Sequence, residues 1–206
     1  AGLGGKEALG KAFGEASEEL GVRDAEMAAS GTTATVALLL EGSLHVATLG
    51  DSMAFIGRAD DADGGGSVGA RLRAVPLAGV HRVTDERERK RVEACGAVVD
   101  GEYVVSPEDP DNMISVTRTM GDWNIRAFGV SDEPEILSLR LSDRDRLLVL
   151  ATDGLWDAEN TKPDDVVNAA RRTRWSPLGA SCTRILRLCG DEPADDCSII
   201  VVHFLE

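Results

Sequence analysis

Leu147-Leu148-Val149-Leu150-Ala151-Thr152-Asp153-Gly154-Leu155-Trp156-Asp157 carries an apolar run of strand length straight into an Asp-Gly pair. A short continuous apolar run closed by a turn signal is the pattern of a strand buried on both faces. The same arrangement occurs at Ala47-Thr48-Leu49-Gly50-Asp51-Ser52, and Asp195-Asp196 stands directly before the apolar Cys197-Ser198-Ile199-Ile200-Val201-Val202. Taken singly, each of these acids is best read as a turn residue. Brought to one sheet edge, three carboxylates would repel one another unless protons or cations compensated, and a divalent metal is the usual compensation. Spacing alone does not show that they converge.

Outward from these stretches, strand and helix patterns alternate. Leu9, Phe13, Ala16 and Leu20 recur at helical spacing, with Gly21 as a stop. Residues 33–40 and 43–49 predict two strands joined by a tight turn at Glu41-Gly42, with a third strand at 53–58 and a fourth at 70–77. These pair antiparallel, since the connections are too short for crossover helices. A helix starting at Thr84 has Asp85 and Glu86 in its first turn, Lys90 and Arg91 near its end and Gly96 beyond, which suits the helix dipole. Residues 106–111, with Pro107 and Pro110, predict a loop. Residues 136–141 and 146–151 predict a further strand pair around Ser142-Asp143, and helices follow over 164–173 and 178–188. In the closing strand, 197–204, Ile199, Ile200, Val201 and Val202 are apolar on both faces and therefore expected to be buried. The class is α+β: packed antiparallel sheets with helices outside, in one domain over 1–206 without internal repeats.

Composition narrows the function. The 206 residues include 22 Lys and Arg against 36 Asp and Glu, a net charge of −14. That balance excludes nucleic acid or an anionic membrane as the main partner, because both need clustered positive charge. It suits divalent cations, which take carboxylate oxygens. Cys95, Cys182, Cys189 and Cys197 form no CxxC pair, so neither a zinc site nor a disulfide framework follows, and buried free thiols in an intracellular compartment, cytoplasmic or nuclear, are expected. No apolar run reaches membrane-span length. Gly64-Gly65-Gly66-Ser67-Val68-Gly69 matches GxGxxG in form only, since an alternating strand follows it where a helix should begin. Trp123, Trp156 and Trp175 read as packing residues.

Read in order, Gly31-Thr32-Thr33-Ala34-Thr35, Gly50-Asp51-Ser52, Val116-Thr117-Arg118-Thr119-Met120-Gly121-Asp122, Asp153-Gly154-Leu155-Trp156-Asp157 and Asp195-Asp196-Cys197-Ser198 resemble the metal-dependent protein phosphatases, protein phosphatase type 2C. The resemblance covers about Leu9 to Phe204. It implies a β-sandwich flanked by helices, in α-β-β-α layers, with two Mg²⁺ or Mn²⁺ ions that activate a water against phosphoserine or phosphothreonine in phosphoprotein substrates. By position, Asp153 and Asp195 match metal-binding acids, and Asp51 matches an acid that in some members helps hold a third, weaker ion.

The chain also departs from that pattern. Nothing in Ala1 to Leu20 matches the family's early Glu-Asp pair or its Asp-Gly-His-Gly-Gly motif, which supply a bridging ligand and a histidine proposed as general acid. The phosphate-binding arginine lies upstream as well, and none of His45, His81 or His203 stands in that histidine's place. Val80 replaces an Asp, Asp196 an Asn, and residues 106–112 the usual flap stretch. The expectation is a phosphatase domain incomplete at its N-terminus, lacking its first strands and drawing on a companion N-terminal segment. The alternative is a pseudophosphatase that keeps the fold as a binding or regulatory module.

Overall fold

The computed structural model, which describes residues 4–21, 28–60, 71–159, 161–171, 179–190 and 195–204, sorts the strands into two principal antiparallel sheets. These belong to two units: Ala1–Ser52 with Ala78–Ser138, and Met53–Leu77 with Leu139–Glu206.

In the first unit the sheet order is Glu135–Arg140, Ser43–Leu49, Ala34–Leu40. The last two form the expected hairpin, in register from Leu40 opposite Ser43 to Ala34 opposite Leu49. Helix Gly5–Gly21 lays Leu9 and Phe13 against Ala47 and Leu49 of the sheet. Its buried stripe continues to Ser17, while Ala16 is only half-buried and Leu20 is exposed. A hydroxyl can occupy that stripe because Ser17 Oγ donates to the Asp132 carboxylate. Helix Glu86–Ala94 begins two residues later than expected, capped by Asp85, whose carboxylate accepts the N–H groups of Arg87 and Glu88. Around it, Val83, Val92, Val104, Ile125 and Val130 make a second core. Three short strands not foreseen from the sequence, Val98–Asp100, Tyr103–Val105 and Met113–Ile114, form a small sheet, and the expected loop joins the second to the third.

In the second unit the order is Ile199–His203, Asp145–Ala151, Met53–Ala59, Leu72–Pro76. Phe55, Leu147, Val149, Leu155 and Trp156 pack with Val166, Val167 and Ala170 of helix Pro163–Arg171 and Ile185 of helix Ala180–Leu186. Trp156 is a packing residue as expected, its ring 5.0 Å from Phe55 and its Nε1 donating to Ala151 O.

Several expectations need correction. The strands near 136–141 and 146–151 do not pair: the first joins the Ser43–Leu49 sheet and the second pairs with Met53–Ala59 and Ile199–His203. What looked like a hairpin turn is a crossing between sheets. Asp145 fixes its far side, accepting from Ser142 N and Oγ while holding Arg58 Nε at 2.6 Å. Likewise Met53–Ala59 pairs with Leu72–Pro76, and not with Ser43–Leu49 before it. Ile199–His203 is an edge strand among the described residues, and the face that carries Ile200 and Val202 is not covered: Ile200 is 59% and Val202 41% exposed. Trp123 is more exposed than a core residue, with the Arg126 guanidinium stacked 3.8 Å from its ring centroid. Cys95 is exposed and Cys182, Cys189 and Cys197 are half-buried, so none is a fully buried thiol. The Gly64–Gly69 run and Trp175 lie outside the described residues. Among the described residues, no helix is long and apolar enough to cross a membrane.

Candidate metal centre

Asp153 and Asp195 both lie in the second unit, where the backbone brings their turns into contact. Strand Asp145–Ala151 ends at Thr152, which is extended, and Asp153 opens the short helix Asp153–Trp156. Thr152 ties this turn to the start of the neighbouring strand. Its N–H donates to Ser198 O at 3.1 Å, its Oγ1 accepts from Ser198 N at 2.9 Å and donates to Asp196 O at 3.3 Å. Gly154 completes the seat. A Cβ there would stand 2.5 Å from Asp196 O and 3.2 Å from Asp195 O, so only glycine lets the two turns approach this closely.

The two carboxylates differ in setting. Asp153 is half-buried, whereas Asp195 is exposed and its Oδ1 accepts the Asp196 N–H at 2.7 Å. Both act on Cys197. Burial pushes that thiol up to about 11, the neighbouring Cys189 adds to the shift, and the negative fields of Asp195 and Asp153 add further. Hard carboxylate oxygens from two touching turns fit part of an oxygen-donor site for Mg²⁺ or Mn²⁺. Among the described residues, no group of three or more His, Cys, Asp or Glu is placed to hold a metal ion.

Asp51 lies in the first unit and has a different neighbourhood. At Gly50 φ is +90°, and the residue is pinned on both backbone groups by His81: Gly50 N donates to His81 Nδ1 and His81 N donates to Gly50 O, each at 3.1 Å. Asp51 is buried, and its Oδ2 takes Arg82 Nε and Nη2, each at 2.7 Å. On the other side Ser52 Oγ lies 3.0 Å from Thr33 Oγ1, and Thr35 Oγ1 donates to Ser52 O. The resemblance motifs at 31–35 and 50–52 thus interlock through hydroxyls. The Asp51 Oδ2 thus serves a guanidinium within its own unit.

Two further groups in this unit have displaced proton affinities. Burial lowers the affinity of His81, the Arg118 charge lowers it further, and Glu88 and Glu135 pull the other way. The downward direction fits the geometry: Nδ1 must stay unprotonated to accept from Gly50, and Nε2, at 3.5 Å from Glu135 Oε2, is too distant for a good hydrogen bond. Glu88, also buried, works against burial, which alone would raise its pKa. Hydrogen bonds from Arg118, Arg91 and Thr117 outweigh it and hold the carboxyl far below the usual carboxylate range. The motif residue Arg118 therefore ties its strand to helix Glu86–Ala94, donating to Glu88 and to Glu133 O.

Sequence reasoning missed Thr152, Ser198, Arg82 and Glu88. Thr152 and Ser198 flank the acids and could have been suspected as hydroxyls at strand ends. Nothing local marks Arg82 as the partner of an acid 31 positions earlier.

The arrangement of antiparallel sheets with helices packed on them is that of a known fold: the chain superposes on a serine-threonine phosphatase 2C from Toxoplasma gondii with a TM-score of 0.80 and 21% identity, covering 97% of this chain and 67% of that one. It also superposes on a C. elegans sex determining protein with a TM-score of 0.76 and 23% identity, covering 96% and 46%. The sequence profile described as Protein phosphatase 2C matches residues 3–196, and the chain belongs to that family. Among its relatives, probable protein phosphatase 2C 48 of Oryza sativa subsp. japonica is 33% identical over 187 residues, covering 85% of this chain and 52% of that protein. Probable protein phosphatase 2C 43 of Arabidopsis thaliana is 32% identical over 149 residues, covering 68% and 31%. The chain thus spans about a third to a half of the length of these curated relatives.

Proposed function

We propose that the protein hydrolyses phosphoserine and phosphothreonine in phosphoprotein substrates, with two Mg²⁺ or Mn²⁺ ions held in part by Asp153 and Asp195. The observation that supports this best is the seating of the Asp153-Gly154 turn on the Asp195-Asp196 turn, with Asp196 O at 2.5 Å from where a Gly154 Cβ would stand. Such ions, when bound, lower the pKa of a water and neutralise phosphate charge. The chain's own residues do the rest. Asp153 and Asp195 supply anionic oxygens, Thr152 and Gly154 keep the two turns in contact, and the Trp156 indole N–H fixes the turn to Ala151 O.

Asp153 and Asp195 leave further positions on a hard divalent ion to waters and, in this reading, to a companion N-terminal segment. Each principal sheet has a place for one. Ala34–Leu40 and Ile199–His203 are edge strands that expose Val36, Leu39 and Leu40, and Ile200 and Val202, respectively. Edges that carry no neighbouring strand among the described residues are where a further strand would pair.

The test is hydrolysis of a phosphothreonine peptide with and without added Mn²⁺ or Mg²⁺. Turnover is expected only with the ion and is expected to stop in excess EDTA. Undiminished turnover in EDTA overturns the proposal, and Mn²⁺ binding without turnover would favour the binding-module alternative.

A further inference from the structure

The Gly50-Asp51-Ser52 turn is engaged at every residue within its own unit. His81 takes both backbone groups of Gly50, Thr33 and Thr35 take Ser52, and Arg82 takes the Asp51 carboxylate. Arg82 is itself placed by this pattern, because the residue before it is fixed at three points: its ring and N–H on Gly50, and its O accepting from Thr117 N at 2.8 Å. The Asp51 side chain is 6% exposed and that of Arg82 22%, so the pair is largely withdrawn from water.

We infer that Arg82 is the resident cation of Asp51, and that this chain therefore holds no metal ion at Asp51. A carboxylate oxygen that binds Mg²⁺ or Mn²⁺ directs its lone pairs at the ion from about 2.0–2.2 Å. Asp51 Oδ2 instead faces two N–H groups of one guanidinium at 2.7 Å. A divalent ion on the same oxygen would have to displace that fixed positive charge or sit against it, and like charges this close are strongly unfavourable when partly buried. The guanidinium cannot yield by losing a proton. Of the three acids at strand ends, Asp51 is thus neutralised internally. The inference narrows the metal reading above and rests on it only for ions at Asp153 and Asp195.

The experiment counts bound Mn²⁺ by electron paramagnetic resonance and calorimetry in the wild type, Asp51→Asn, Arg82→Met and the double variant, with circular dichroism to establish that each is folded. Asp51→Asn is expected to bind as many ions as the wild type. Arg82→Met leaves the carboxylate uncompensated and is expected to gain one weak ion, with a dissociation constant on the order of a millimolar, which the double variant lacks. Loss of one ion on Asp51→Asn alone overturns the inference. Should Arg82→Met fail to fold, Asp51→Asn decides the matter by itself. A wild type that binds no Mn²⁺ would refute the metal reading of Asp153 and Asp195, whereas the extra ion in Arg82→Met would still support this one.

Discussion

Asp51 and Asp195 look alike in sequence, both acids at the border of an apolar strand, yet the structure treats them in opposite ways. Asp51 is buried against Arg82 at 2.7 Å. Asp195 is exposed, and its Oδ1 accepts a main-chain N–H. The first unit repeats the Asp51 solution at Glu88 with Arg91 and Arg118, and at Asp132 with Arg126. Acids matched by arginines in this way serve the fold, as Asp145 with Arg58 does in the second unit. In the second unit Asp153 and Asp195 are brought together by Thr152 and Gly154, an arrangement that leaves negative charge concentrated around Cys197. A carboxylate facing a guanidinium is neutralised inside the fold, whereas the proposed metal role of Asp153 and Asp195 rests on the backbone bringing their two turns together.

This contrast is broken most severely at the second unit. Asp153→Asn keeps the side-chain shape and removes an anionic ligand. Because a bound metal contributes several kcal/mol of transition-state stabilisation, phosphatase turnover should fall by about a thousandfold or more. The melting temperature should hold or rise, since the remaining acids repel each other less. Parallel measurement of turnover and of Mn²⁺ binding by calorimetry checks this. Equal Mn²⁺ affinity in variant and wild type would return Asp153 to a turn role.

The counterpart in the first unit is Glu88→Ala. Removing one partner of a buried ion cluster leaves Arg91 and Arg118 without their carboxylate while they keep carbonyl partners, and the cost is about 3 kcal/mol, the lower end for a broken buried pair. Urea unfolding followed by tryptophan fluorescence should show the unfolding free energy fall by that amount, with a correspondingly lower midpoint. In the wild type the stabilisation from Glu88 ionisation is complete above the ordinary carboxylate range, declines progressively as the pH falls below it, and is gone only in strong acid, because Glu88 is held ionised far below its usual pKa.

Periodicity and turn chemistry made much of the fold legible. The hairpin through Glu41-Gly42, the helix after Asp85 and the strand ending at Ala151 follow from local patterns that tertiary packing does not override. Sheet membership was not legible. The strands ending near Leu49 and beginning at Met53 are separated by only the Gly50-Asp51-Ser52 turn, and a short connection reads as a hairpin whether or not the chain changes sheets. Only non-local pairing decides, as it does again at Ser142-Asp143. The exposure of Ile200 and Val202 escaped the reading for a similar reason: whether a layer covers the second face of an apolar strand is not written in the strand's own composition. At the candidate site, Asp153 and Asp195 were visible as motif acids. The partners that separate them from Asp51 were not, because Arg82 and Thr152 act through space.

A gentler break of the second unit is Gly154→Ala. The added Cβ would meet Asp196 O at 2.5 Å, backbone against backbone, so the two acid turns must separate by several tenths of an ångström. Overpacking of this kind costs about 1–3 kcal/mol. Mn²⁺ affinity should fall with the stability, and Thr152→Val, which loses the hydroxyl bridge to Asp196 O and Ser198 N, should weaken Mn²⁺ in the same direction. Undiminished Mn²⁺ affinity in both variants would separate the seating of the turns from metal binding.

The smallest effect is a pH dependence in the first unit, carried by His81. The groups that face its ring are Gly50 N on Nδ1, Glu135 near Nε2, and the charges of Arg118 and Glu88, which hydrogen-bond each other. Since burial and Arg118 lower its pKa in the folded protein, the unfolded chain binds its proton first on acidification. Stability from this group is therefore complete above about pH 6.5, declines as the pH falls below the unfolded value, and levels off once the folded value is passed. One proton limits the slope to about 1.4 kcal/mol per pH unit. Glu88 does not titrate in this window, being held ionised far below it, so the region between about pH 6.5 and 5 reports mainly on His81. His81→Gln can still accept the Gly50 N–H but has no proton to gain. Its urea midpoint should start lower than that of the wild type at pH 7.5 and change less on acidification to pH 5. Parallel curves for the two proteins across that range would mean that His81 titrates alike folded and unfolded, and that its tie to Gly50 does not depend on the neutral ring.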